Sequence, residues 1–440
     1  MEMVLEFLRD VLSQPALLIG IMSCIGLIAL KRPFHKIMTG TLKPILGYLM
    51  LAAGAGVIVS NLDPLGKMIE HGFHITGVVP NNEAIVAVAQ KVLGVETMSI
   101  LVVGLLMNLC IARFTKFKYV FLTGHHSLFM ACLMSAVLGT AGLSGMELIL
   151  VGGFLMGAWS AISPAIGQSY TSKVTDGDEI AIGHFGSLGY YLSAWVAKYV
   201  GKAEDSTEDI EIPEKWGFLR DSTLSTALTM IVFYLIAAFA AGSEFVATLS
   251  GDMSPYLYAV MSAMNFAVGV TIVYSGVRMI LGDLIPAFQG IATKIIPNAI
   301  PAVDCAVFFT YAPTAVVLGF LSSFIGGIIG MLILGAVGGV LIIPGLVPHF
   351  FCGATAGIYG NATGGRRGAA VGAFLNGLAI TFLPALALPV LGQLGFQNTT
   401  FGDADFAVMG LVLGNAYEWV GMAGIYGIVA IAALVRSEEH

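Results

Sequence analysis

The sequence predicts an all-α polytopic membrane protein of about eleven transmembrane helices, interrupted by re-entrant or discontinuous segments. Three observations predict it. Apolar residues make up 57% of the chain and charged residues only 11%, where soluble domains carry about a quarter charged residues. Uncharged, mostly apolar runs of roughly 18 residues or more recur along the chain, each long enough to cross a hydrocarbon core of about 30 Å. The short alternating strands of a membrane barrel are missing from the pattern, so the backbone must be satisfied within helices.

The expected spans run over 14–30, 43–61, 98–113, 118–140, 145–166, 223–247, 255–280, 302–321, 323–347, 370–392 and 406–435. Between them, 73–92, 178–198, 283–301 and 349–364 are apolar but rich in Gly, Pro, His, Asn and Asp. Such stretches make poor spanning helices and suit discontinuous elements that line a cavity. One soluble linker, 201–221, carries six acidic residues between Glu204 and Glu214. It divides the chain into a first half, 1–200, and a second, 222–440. Glu2, Glu6, Arg9 and Asp10 precede the first apolar run, so a cleavable signal with a basic start is not expected.

Lys and Arg set orientation. They cluster after the first span (Lys31, Arg32, Lys36), after the third (Arg113, Lys116, Lys118), around the acidic linker and at Arg436. These ends are expected in the cytoplasm, with the N-terminus outside. The net charge of −7 is spread thinly and argues against a nucleic-acid partner. Cys24, Cys110, Cys132, Cys305 and Cys352 all lie in apolar segments without CxxC spacing, so neither a zinc site nor a disulfide framework is expected.

The two halves resemble each other. Phe154-Leu155-x-Gly157 followed by Pro164-Ala165 recurs as Phe374-Leu375-x-Gly377 followed by Pro384-Ala385. In the same order, Gly47-x-x-Met50 parallels Gly276-x-x-Met279, and Pro80–Ala84 parallels Pro301–Cys305. The approach to His125 parallels that to His349. The common order predicts two repeats, inverted as in many transporters, with a solute site where they meet.

Polar groups inside apolar sequence mark that site. Asp304 has no Lys or Arg within nine residues, and an intramembrane carboxylate is costly unless paired or hydrated. It is either a solute contact or a helix cap after Pro301. Asn82 and Glu83 hold the matching region of the first half. His125, His184 and His349 each open a broken, glycine-rich stretch, as solute contacts or as hydrogen-bonded core histidines. No HxxH or HExxH spacing suggests a metal. The Gly360–Arg367 turn lacks the lysine-serine ending of a phosphate loop and reads as a helix start. No hydrolytic triad or nucleotide motif stands out, and neither a metal nor a cofactor is expected.

The stretches 17–32, 40–58, LTGHH (122–126), VTDGDEIAIGH (174–184), 275–320 and LIIPGLVPHFF (341–351) together resemble the ascorbate-type membrane component, IIC, of the bacterial sugar phosphotransferase system. The resemblance implies an eleven-span homodimer in the bacterial inner membrane, with a scaffold and a mobile core that carries solute by an elevator-like movement. It implies a sugar or sugar-acid substrate, phosphorylated by a separate IIB chain that is charged through IIA and HPr. It also implies solute contacts at His125, Asp304, Asn82 and Glu83. Phe129 and Phe185 stand where the family pattern has glutamine, which changes the hydroxyl pattern a site can satisfy, and either ring could stack on a sugar face. Two other readings are an ion-coupled secondary carrier and a IIC for a different sugar acid or a pentitol.

Overall fold

The computed structural model of the chain describes residues 11, 14–74, 77–80, 82–210, 222–392 and 399–434. The N-terminal acidic residues, the second part of the acidic linker, 211–221, and Arg436 lie outside them. Thirteen described α-helices dominate: α1 (Pro15–Ala29), α2 (Phe34–Gly72), α3 (Asn82–Phe114), α4 (Gly124–Thr140), α5 (Gly145–Thr175), α6 (Ser187–Val200), α7 (Ser222–Ala241), α8 (Ser243–Ser250), α9 (Pro255–Lys294), α10 (Pro313–Ala336), α11 (Leu346–Gly392), α12 (Ala404–Val420) and α13 (Met422–Leu434). Six described helices are long and apolar enough to cross a membrane, or seven if the bent pair α7–α8 is one span. The bend in that pair, 117°, falls at Gly242, whose φ of +82° is open to glycine and strained for other residues. At about 1.5 Å per residue, α9 with its 40 residues is roughly twice as long as the hydrocarbon core is thick. It must therefore lean or project.

Two expected spans are corrected. The stretch 302–321 is not a helix. It begins as a buried strand, β4 (Ile300–Val303), passes Asp304 and forms a 3₁₀ turn, Cys305–Thr310. A single helix, α10, then takes the place of the paired spans 302–321 and 323–347. Pro313 explains the restart: its fixed φ suits a first helical turn, and it holds the preceding Ala312 out of the helical region. Conversely, 349–364, expected to be broken, is helical up to Gly364–Gly365, where φ at Gly365 is +58°.

Five short strands complete the described residues: β1 (Val79–Pro80), β2 (Tyr119–Phe121), β3 (Ala181–Ile182), β4 and β5 (Thr399–Thr400). They form two small parallel sheets. In one, β4 is central, with Tyr119–Phe121 in register with Ile300–Ala302 and Ala181–Ile182 in register with Ala302–Val303. In the other, β1 pairs with β5 and bridges Ile342 through Val78. These sheets satisfy backbone groups that would otherwise be stranded at membrane depth. Side-chain amides patch the edges of the first. Asn108 of α3 accepts from the Phe121 N–H and donates to the Tyr119 carbonyl. Gln168 of α5 donates to the carbonyl of Ile180, just before β3.

The helices pack in two groups. In one, α1, α2, α7 and α9 lie against each other; in the other, α3–α6 pack with α10–α13. The crossing of α2 and α9 depends on facing glycines. A Cβ on Gly276 would lie 2.6 Å from the Gly47 carbonyl oxygen, and one on Gly47 would lie 2.8 Å from that of Gly276. Such close backbone approach is how helices associate in lipid, where burial offers little between them. Gly276→Leu is therefore expected to destabilise the protein by about 1–3 kcal/mol or more. Gly282→Ala, on the same helix with nothing within 4 Å, is expected to change little. Thermal unfolding of the two detergent-purified variants checks this; equal midpoints would contradict it.

Candidate functional site

Every strand described above leads directly into a helix or 3₁₀ turn. β1 leads to Asn82 of α3, and β2 to Gly124 and His125 of α4. β3 leads to His184 and then α6, β4 to Asp304 and its turn, and β5 to Asp403 and then α12. Helix starts carry unpaired N–H groups and positive partial charge. The side chains at these junctions are the polar ones.

Asp304 is buried, 8% exposed, and it caps the turn while keeping one oxygen for a second partner. Its Oδ1 accepts from the Ala306 N–H at 3.0 Å, capping the turn. Its Oδ2 lies 3.5 Å from Nε2 of His125. The other ring nitrogen of His125, Nδ1, is 3.3 Å from the Tyr48 hydroxyl of α2. An imidazole with its proton on Nε2 satisfies both contacts, donating to Asp304 and accepting from Tyr48.

Asn82 belongs to a second pair. Its Nδ2 donates to Asp403 Oδ2 at 2.5 Å, and its Oδ1 accepts from the Gly402 N–H at 2.9 Å. Cys352 of α11 donates its S–H to Asp403 Oδ1 at 2.8 Å. His184 stands beside this pair. Its Nδ1 accepts from the Gly186 N–H at 3.1 Å and lies 2.8 Å from the Tyr190 hydroxyl. With Nδ1 accepting, a neutral ring keeps its proton on Nε2 as a spare donor.

His126 links the two pairs. Its ring centroid is 4.8 Å from that of His125 and 3.8 Å from that of His184, and its Nδ1 accepts from the Phe185 N–H. A cluster of polar side chains thus extends from Asp304 and His125, through the ring contacts of His126 with His125 and His184, to Asp403 and Asn82, drawing on both halves of the sequence. The hydroxyls of Thr123 and Thr400, at two of the junctions, are buried without a hydrogen-bond partner.

The remaining expected residues fall unevenly. Phe129 borders the cluster, with ring centroids 5.7 Å from both His125 and His126. Phe185 is fully covered and stacks on Phe121 at 4.6 Å, beside Phe406. It therefore has no free face for a solute in this state. His349 is buried elsewhere, between α11 and α10, hydrogen-bonded to Ser323 at 2.9 Å and edge-on to Phe324. Glu83 lies in the first turn of α3, and its side chain is outside the described residues.

Tyr48, Asp403, Asp405 and Tyr190 were not singled out by the sequence reading. For the two aspartates a signal existed: no Lys or Arg occurs between Arg367 and Arg436, the same isolation that marked Asp304.

His184, Cys352 and Asp403 bring one ligand atom each within 4.8 Å of one another, a donor mixture that zinc accepts. Each already has a partner in the network above, so hydrogen bonding accounts for their convergence. A cleft of about 380 Å³ lies between α1, α3 and α9, lined by Met22, Leu109, Phe114 and Ile295, with Arg113 the only charged wall residue among the described ones. It shares no residue with the polar cluster and offers a hydroxylated guest little to bind.

The comparisons with known proteins agree with the sequence resemblance. The family model for the PTS system sugar-specific permease component, EIIC-GAT, matches residues 10–405. The chain is 28% identical over 417 residues to the ascorbate-specific PTS system EIIC component of Mycoplasma pneumoniae, covering 81% of this chain. It spans 62% of that relative's length. With a match over most of its length, this mostly helical membrane chain belongs to the family of sugar-specific permease components of the phosphotransferase system.

Proposed function

We propose that the chain is a IIC subunit that carries a small hydroxylated sugar or sugar acid, of the ascorbate type, across the bacterial inner membrane. It presents the solute to a separate IIB protein for phosphorylation, so it performs no phosphoryl chemistry of its own. The observation that carries this reading is the cluster of polar side chains from Asp304 to Asn82 at the strand–helix junctions. Its acceptors (two carboxylates) and donors (imidazole and amide N–H groups) match the dual character of sugar hydroxyls. A carboxylate buried at this depth is retained where it grips a solute or ion.

In this reading Asp304, His125, His184, Asn82 and Glu83 contact the solute, with Phe129 as a ring wall. Phe185 and His349 support the surrounding core. The two sheets favour an internal duplication. β1, with Ile342 and β5 on either side, repeats the parallel arrangement of β4 with β2 and β3, in matching chain order. The halves are 1–200 and 222–440, joined by the cytoplasmic linker 201–221, with the N-terminus outside. Eleven crossings are reached when short helices such as α4, α6 and α12 span together with the strands that lead into them. The group α1, α2, α7 and α9 serves as the dimerising scaffold. The other group is the mobile core, moving as an elevator with the Tyr48–His125 contact at their boundary. Phosphorylation makes uptake irreversible, because a charged product cannot return through an apolar barrier.

Asp304→Ala is expected to abolish uptake of radiolabelled L-ascorbate or galactitol in cells that supply IIA and IIB, while the purified variant stays folded and dimeric. Uptake at the wild-type rate would contradict the site. In proteoliposomes without phospho-IIB, the wild-type protein is expected to exchange a transported sugar across the bilayer but not to accumulate it. Accumulation driven by a proton gradient alone would overturn the proposed role.

A further inference from the structure

Asp405 is fully buried and lies two residues from Asp403 on the same turn, yet it faces a different set of partners. Its Oδ1 accepts from the Leu188 N–H at 2.9 Å, and its Oδ2 from the Ser187 hydroxyl at 2.9 Å and from Trp159 Nε1 of α5 at 3.2 Å. Its own N–H donates to the Phe185 carbonyl at 2.9 Å. Three donors on one carboxylate, together with the helix start of α6, are the usual way a buried anion is compensated. Asp405 thus grips residues 185–188 from both sides, and these residues directly follow His184.

We propose that Asp405 is a positioning residue that sets His184 and Asp403 as one unit. The turn Asp403-Ala404-Asp405 is too short for its two carboxylates to move independently. One is fixed to the start of α6 and the Trp159 indole; the other meets Asn82 and Cys352. The grip on α6 holds His184 at the fixed end of its loop and, through Ala404, holds Asp403 toward Asn82. Asp405 itself need not touch the solute: its effect passes through His184 and Asp403. The inference rests on the sugar-site reading above and adds the device that keeps the site's two sides in register.

Asp405→Asn keeps the size but replaces one acceptor oxygen with a donor, setting N–H against the donors of Ser187 and Trp159. Hydrogen exchange, followed by mass spectrometry on the full-length purified protein, reads the consequence. The Leu188 and Gly402 amides are expected to exchange at least tenfold faster in this variant, while residues 192–199 of α6 stay protected. Asn82→Ala, by contrast, is expected to release Gly402 and leave Leu188 unchanged. Of L-ascorbate and galactitol, whichever binds the wild type by calorimetry is expected to bind Asp405→Asn at least tenfold more weakly. Wild-type exchange at Gly402, loss of protection throughout α6, or unchanged affinity would each overturn the proposal. If neither sugar binds the wild type, the sugar-site reading is what fails, and the exchange rates still decide the role of Asp405.

Discussion

A polypeptide cannot leave its helical hydrogen-bonding pattern at membrane depth unless something else satisfies the freed N–H and carbonyl groups. The rest of this structure depends on how that constraint is met. Five short strands and the bridge at Ile342 pair in two parallel sheets, and the amides of Asn108 and Gln168 complete one of them. Once the breaks are satisfied in this way, helices can start in the interior of the protein. Their starts then bring N–H groups, glycines and polar side chains to places that an unbroken span would fill with aliphatic carbon.

The polar side chains at the breaks also satisfy one another. Asp304 caps a turn and faces His125; Asp403 is held by an amide and a thiol; Asp405 is held by a backbone N–H, a hydroxyl and an indole. Unpaired, any of these carboxylates would carry a desolvation cost of several kcal/mol. Paired, that cost is offset. In the proposed role, a sugar binds by exchanging hydrogen bonds with Asp304 and its neighbours, and selectivity follows from that exchange, because a solute lacking one hydroxyl leaves a buried group without a partner.

Much of the fold was legible in the sequence, for identifiable reasons. The helices α1, α2, α5 and α9 were clear because lipid-facing helices are apolar over whole turns, as Ile21, Ile25 and Ile28 show on α1. The strands were not legible as strands: two to four residues are too few to carry a period, and their composition is that of the helices around them. The stretch 349–364 looked broken because it is rich in glycine, yet its glycines allow close contact with α10, as between Gly319 and Gly357. At the site, Asp304 and His125 could be found from isolation of charge and from the repeated motif. Their contact partner Tyr48 could not, since a tyrosine in an apolar run is unremarkable until the fold brings it across 77 positions. His349 shows the converse: the repeat made it a mate of His125, but packing against Ser323 gives it a different setting.

A cryo-electron microscopy structure of the purified protein loaded with a transported sugar tests the central claim most directly. The account predicts density for the sugar among the strand–helix junctions, with hydroxyls within hydrogen-bonding distance of Asp304 and of at least one of His125, His184 and Asn82. Sugar density in the apolar cleft between α1, α3 and α9, or anywhere without contact to Asp304, would contradict it.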